Sequence, residues 1–199
     1  MHNNFSNTDE MTSTQNAQRD SFNIKPMDIE IIRATESRIA EVDQTNLQFG
    51  KHYSDHMFMV DFENGKWQMP KIVPYGNISM SPATTFIHYG QSLFEGIKAY
   101  KRENGEIAIF RPQDNWERFN VSARRMAMAE VPKELFMEGM RRLIELDKAW
   151  VPGSVGSSLY IRPFMFATDE FIGVKPADNF RFMIITSPAG AYYNKPTRI

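Results

Sequence analysis

Asn-Gly occurs twice in the chain, at Asn64-Gly65 and Asn104-Gly105, each time between two extended, apolar-rich runs. Both residues accept positive φ at low cost, so the pair is the strongest short-range signal for a β-hairpin. The first pair predicts a hairpin of residues 56–62 with residues 67–73. The second predicts one of residues 93–100 with residues 107–111. A short helix over residues 82–88 would separate them.

Asp114 is a candidate N-cap, with Glu117 three residues on at the spacing of a capping box. Trp116, Phe119, Ala123 and Met126 then recur at helical spacing and predict one apolar face. A second helix is expected over residues 132–150, with Phe136, Met140, Leu143 and Ile144 on one side and Pro152-Gly153 as its stop. Two further strands follow, residues 158–167 and 181–187. The continuous run from Phe182 to Ile185 predicts a strand buried on both faces. Hairpins, paired helices and further strands define the class as α+β, a mixed α/β layer.

At 199 residues the chain is long enough for one good-sized domain, or one domain and part of a second. It can bury roughly 70% of the surface its unfolded form exposes. With no cysteine, disulfides and thiolate metal sites are excluded. The 23 basic and 24 acidic side chains nearly cancel, which leaves no electrostatic case for nucleic acid or an anionic membrane. No apolar run approaches the ~20 residues that span a bilayer. Residues 1–25 lack the apolar stretch of a signal peptide and read as a disordered polar tail. A soluble, cytoplasmic protein is expected. After Gly190-Ala-Tyr-Tyr193 no closing helix or strand is legible before Ile199, which reads as truncation.

Generic catalytic motifs are missing: there is no dinucleotide-binding glycine pattern, phosphate loop, nucleophile elbow or zinc-protease helix. His52 and His56 are four apart but lead into strand-like sequence, so no metal site is expected. Arg118 is more informative. If it stands in the first turn of a helix, its charge opposes the macrodipole at a cost of ~0.3–1 kcal/mol. A bound phosphate would reverse the sign, with helix N-terminus and guanidinium both holding the anion; the alternative is a solvated arginine paired with Glu117 or Asp114. Tyr160 and Arg162 share one face of a strand, with Phe164 next along. They form either a carboxylate receptor or an edge-strand arginine reaching water. The pairs Arg124-Arg125 and Arg141-Arg142 read as polar helix faces.

Taken in order, these pieces resemble a family. His88-Tyr89-Gly-Gln-Ser-Leu-Phe-Glu-Gly-Ile-Lys-Ala-Tyr100 is similar to the segment containing "LFEG" in branched-chain amino-acid aminotransferases, the class IV pyridoxal-phosphate enzymes. Phe110-Arg-Pro112 followed by Arg118 resembles their phosphate-binding helix, and Ser158-Leu-Tyr-Ile-Arg-Pro163 their substrate strand. Gly173-Val174 and Gly190-Ala-Tyr192 fall in the same order. The match runs from about Phe49 to Tyr192.

The resemblance implies the N-terminal small domain of a fold-type IV enzyme over residues 26–190, with residues 191–199 opening an interdomain linker and the large second domain absent. It implies pyridoxal 5'-phosphate as cofactor, held through its phosphate by Arg118. Phe49, Phe94, Tyr160 and Tyr192 would wall an apolar pocket for leucine, isoleucine and valine side chains. Tyr89 and Val174 would reach the neighbouring subunit's site in a homodimer or larger assembly. Arg162 would steady the tyrosines and receive the second carboxylate of glutamate. The reaction implied is amino transfer from a branched-chain amino acid to 2-oxoglutarate. The Schiff-base lysine of the family would lie beyond Ile199, so this chain contains no catalytic residue and is expected to be inactive alone. Two other readings stand beside this one. One is a lysine-less, non-catalytic dimerisation partner of such an enzyme. The other is a D-amino-acid aminotransferase or aminodeoxychorismate lyase relative.

Overall fold

The structure, a computed structural model, describes residues 27–190. The predicted tail, the linker and Tyr192 lie outside the described residues.

The first Asn-Gly forms the expected turn. Asn64 and Gly65 have φ of 52° and 74°, so the loop between Glu63 and Lys66 is two residues long. The returning chain differs from expectation in being two strands, β3 (Lys66–Trp67) and β4 (Lys71–Pro74), both paired with β2 (His56–Glu63). Phe62 faces Trp67 while Phe58 faces Ile72, so four steps on β2 answer five on the return. The extra residue falls beside Pro70, which has no N–H for the ladder.

The second Asn-Gly builds a different turn. Lys101 pairs with Ile107 across β6 (Ile97–Lys101) and β7 (Ile107–Ile109). The Gly105 N–H donates to the Arg102 carbonyl at 2.9 Å, and the Arg102 N–H to the Glu106 carbonyl at 2.8 Å. Only Gly105, at φ 82°, takes the left-handed conformation; Asn104 does not. One more loop residue moves the positive-φ requirement onto the glycine alone. The expected strand over residues 93–100 is interrupted between β5 (Ser92–Phe94) and β6, at Glu95 and Gly96. There the Glu95 N–H donates to the Pro163 carbonyl at 2.8 Å, and Pro163 has no N–H to return. Register against β8 (Ser158–Ala167) continues unchanged across the break.

β9 (Phe180–Ala189) is central, antiparallel to β8 on one side and β2 on the other. The sheet order is β1-β4-β2-β9-β8-β6-β7, with β3 on β2 and β5 on β8; only β1 (Glu30–Ile31), against β4, is parallel. This is the mixed helix and strand layer that the pattern predicts.

Helix α1 (Thr85–Tyr89) is the short helix between the hairpins. Helix α2 (Pro112–Arg125) starts earlier than expected. Arg111, at φ 46°, is its N-cap and Pro112 its first helical residue, so Asp114 does not cap and instead ion-pairs with Arg111. Proline at the first position needs no N–H and arrives with a helical φ, so it sets the start. Arg118 therefore stands in the second turn rather than the first. Trp116, Phe119 and Ala123 pack inward as predicted, but Met126 follows the last helical residue and is exposed. Asn120 clamps the backbone of Val131 in both directions, with two bonds of 2.9 Å that turn the chain towards α3 (Lys133–Leu146). α3 buries Phe136, Met140, Leu143 and Ile144 as expected, and a 3-10 turn, Lys148–Trp150, completes the segment.

Both longer helices pack on one face of the sheet. Phe58, Phe119, Phe136 and Phe182 have ring centroids 5.4–6.0 Å apart at its centre. A Cβ on Gly139 would lie 2.7 Å from the Phe58 ring, so the glycine sets how closely α3 approaches β2. The opposite face carries a smaller cluster, Met57, Phe166 and Met183, with Phe86 of α1 packed against it.

His56 is committed to structure. Its Nε2 accepts the Ala34 N–H at 2.8 Å, which leaves Nδ1 to donate to Asp147 at 2.6 Å. Asp55 accepts from Ser37, the Arg38 N–H and Trp150 at 2.6–2.8 Å. Burial opposes ionisation of Asp55, but these bonds and the Arg38 charge outweigh it and hold its pKa below the usual carboxylate value. Among the described residues no three His, Asp or Glu side chains converge on a metal position.

Candidate active site

Alternation along β8 sends Leu159, Ile161 and Met165 into the helix-covered core and Tyr160, Arg162 and Phe164 to the other face. β8 lies between β9 and the β5/β6 segment, so Arg162 is not an edge arginine. Its Nε and Nη2 donate to the Tyr160 hydroxyl at 3.0 and 2.8 Å. The guanidinium carbon sits 4.1 Å from the Phe94 ring centroid. Phe49 meets Tyr160 edge-on at 4.8 Å between centroids. Four of the residues singled out in the sequence thus form one cluster. Tyr160 reaches across its neighbouring strand because residue 96 is glycine: a Cβ there would lie 2.8 Å from the Tyr160 hydroxyl oxygen. Phe49, Tyr53, Tyr160, Arg162 and Ser187 line a small pocket. Ser187 faces Tyr160 across the ladder, and its buried hydroxyl has no hydrogen-bond partner.

A groove of about 440 Å³ adjoins this pocket and shares Tyr160 with it; Lys98, Arg111, Asp114, Asn115 and Arg118 are among its lining residues. Arg118 pairs with neither Glu117 nor Asp114. Its Nε and Nη2 each donate to Glu95 at 2.6 Å, a two-pronged bond. Asn115 adds a bond of 3.0 Å to the same carboxylate. Glu95 is only 6% exposed. Burial disfavours its charge, but the bonds from Arg118 and Asn115 and the Arg118 charge prevail and keep its pKa below the usual range. The Arg118 pKa is raised, first by the hydrogen bond to Glu95 and then by its charge.

The donor set fits a phosphate. Three cations, Lys98, Arg111 and Arg118, line the groove; Arg111 is paired with Asp114 and Arg118 with Glu95, so the cations outnumber the carboxylates by one, and α2 begins there with no side chain capping its first turn. Sequence reasoning missed Glu95, Lys98 and Arg111 as parts of this site. Glu95 and Lys98 stood inside the "LFEG" segment without a role. Proline at the first helical position was the signal that would have placed Arg111 correctly.

Tyr89 and Val174 lie apart from both recesses. Tyr89 ends α1 and donates its hydroxyl to the Ile172 carbonyl, while Val174 is 90% exposed in the loop between β8 and β9. With Ile87, Phe171 and Ile172 they place five exposed apolar side chains on two neighbouring segments.

Among known proteins, branched-chain-amino-acid transaminase 1 of Bacillus subtilis (strain 168) is 44% identical over 162 residues, 79% of this chain and 46% of its own. The probable branched-chain-amino-acid aminotransferase of Staphylococcus aureus (strain MRSA252) is 48% identical over 162 residues, 79% of this chain and 45% of its own. Among solved structures, the Escherichia coli branched-chain amino acid aminotransferase aligns with a TM-score of 0.54 at 26% identity, over 69% of this chain and 41% of that one. A T.th. branched-chain amino acid aminotransferase solved with pyridoxamine 5'-phosphate aligns with a TM-score of 0.54 at 28% identity, over 72% and 43%. No family model matches the chain. The chain spans a little under half the length of the curated relatives it matches. By sequence and by fold, the chain is similar to the N-terminal portion of branched-chain amino-acid aminotransferases.

Proposed function

We propose that this chain supplies the substrate pocket and the phosphate grip of a pyridoxal-phosphate-dependent aminotransferase that moves the amino group of leucine, isoleucine or valine to 2-oxoglutarate. The observation that carries the reading is the adjacency of the two recesses, one aromatic with a tethered arginine and one cationic, with Tyr160 as their common wall. Arg118 holds the cofactor phosphate, and Lys98 and Arg111 add positive charge around it. Bound there, pyridoxal 5'-phosphate supplies the electron sink that amino-group transfer needs.

Phe49, Phe94 and Tyr160, joined by Tyr192, wall the site against water and accept branched apolar side chains. Arg162, held by the Tyr160 hydroxyl, meets the second carboxylate of glutamate, so one pocket serves an apolar and an acidic substrate in turn. Tyr89 and Val174 extend towards the site of a second copy, through the exposed apolar patch they share with Ile87, Phe171 and Ile172. Residues 26–190 act as one small domain, with residues 1–25 a polar tail and residues 191–199 a linker. A chain without cysteine suits a reducing cytoplasm, and among the described residues no helix is long and apolar enough to cross a membrane.

The family's lysine would lie beyond Ile199, so the 199-residue chain should show no transamination by itself. The test is the intact mass of the native protein before and after borohydride reduction with pyridoxal 5'-phosphate. A product heavier than 23.1 kDa, with one cofactor adduct on a lysine past position 199, supports the reading. A native product that ends at Ile199 and carries no adduct overturns it in favour of a lysine-less partner.

A further inference from the structure

The glutamate of the "LFEG" segment has no part in the chemistry described so far, yet it is the most heavily committed carboxylate near the groove. Glu95 sits at the strand interruption opposite Pro163, with its own N–H fixed by the Pro163 carbonyl. Its two oxygens take both the Nε and the Nη2 edge of Arg118, and Oε2 also takes Asn115 and, at 3.3 Å, the Gly96 N–H. Arg118 itself is 67% exposed at its side chain, and its Nη1 makes no hydrogen bond among the described residues. An exposed arginine samples many rotamers, and each must be given up to bind an anion. A buried carboxylate that grips one edge of the guanidinium removes that freedom beforehand and leaves the other edge for a ligand.

We propose that Glu95 is the positioning residue for the cofactor phosphate: anchored beneath the groove, it locks Arg118 by its Nε–Nη2 edge and presents the remaining N–H groups to the phosphate. The inference rests on the reading of Arg118 as the phosphate ligand. Glu95 also carries negative charge, which by itself would weaken phosphate binding. The proposal therefore commits to a sign: orientation outweighs repulsion, and removal of the Glu95 charge loosens the phosphate ester instead of tightening it.

The test uses the full 199-residue chain and two probes without an aldehyde, pyridoxine 5'-phosphate and pyridoxine, which form no lysine adducts. Affinities come from equilibrium dialysis, and the Arg118 Nε–H is followed by NMR. The wild type should prefer the phosphate ester, and Arg118→Ala should abolish the preference. Glu95→Gln should weaken binding of the ester about tenfold, with pyridoxine unchanged and the Nε–H exchanging freely with solvent. Glu95→Asp, which keeps the buried charge but shortens the reach, should lose about threefold and decides the matter if Glu95→Gln does not fold. If both Glu95 variants keep the full preference, or bind the ester more tightly, the positioning role is overturned while the Arg118 reading stands. If the wild type shows no preference, or Arg118→Ala retains it, the Arg118 reading fails and takes the positioning role with it.

Discussion

The two faces of the central sheet are built from the same strands and have opposite characters. On one face Phe58 and Phe182 meet Phe119 and Phe136 from the helices, and all four are fully buried. On the other, Phe94 is 63% exposed and the arginine of Arg162 lies over its ring. Alternation along a strand assigns each side chain to a face; the helices then decide which face becomes core. The covered face stores stability, and the other keeps polar tips and aromatic edges available to a ligand. Substitutions of equal size should therefore have unequal consequences on the two faces.

The sharpest break in this contrast is Phe182→Ala, which opens a cavity among four rings and should cost about 3–5 kcal/mol by urea unfolding. Phe94→Ala on the other face should cost less than about 1 kcal/mol, mostly its contact with Arg162. Similar losses from the two variants would mean that the open face is packed as tightly as the core. Gly139→Val tests the covered face from the opposite direction. A side chain there meets Phe58, and overpacking should cost about 1–3 kcal/mol.

Acid provides a further test, at the groove and at the N-terminal anchor. Glu95 and Asp55 have folded pKa values held below their unfolded ones, about 4.3 and 3.9 for free side chains. Their contribution is fully present above those unfolded values and is lost as pH falls through the lower folded ones. Stability from urea midpoints should thus fall steeply below about pH 4, and Glu95→Gln should flatten part of that slope. An unchanged slope would show that the Arg118 pair contributes nothing to stability.

Val174→Asp should leave the urea midpoint within about 0.5 kcal/mol while it weakens self-association measured by sedimentation. Unaltered association would remove the α1 patch as the contact between copies. The smallest effect is expected of Ser187→Ala, which removes a buried hydroxyl without a partner and should be neutral or slightly stabilising.

Sequence periodicity carried far on the covered face. The apolar faces of α2 and α3, the strand over residues 158–167 and the buried run in β9 were all legible, because hydrophobic spacing reports burial directly. Turn chemistry carried less. Asn64-Gly65 made the expected two-residue turn while Asn104-Gly105 did not, since the same dipeptide serves loops of two lengths and strand pairing chooses between them. The start of α2 was misplaced because a capping-box spacing at Asp114 competes with proline at the first helical position, and the proline prevails.

The sequence by itself determined the α+β class, the apolar faces of the two longer helices and, through its ordered motifs, the resemblance to branched-chain aminotransferases. Tyr160, Arg162 and Phe164 were placed on one face by strand periodicity alone. That Phe49 and Phe94 join them was implied by the resemblance and by no spacing rule; that Arg118 pairs with Glu95, and that a cationic groove lies against the aromatic pocket, were decided only by the tertiary structure. Arg118 and Glu95 are 23 residues apart in the chain, and no local spacing rule relates a helix to a strand at that distance. An ion pair depends on where two side-chain ends meet in space, and that is settled only when the helix packs against the sheet.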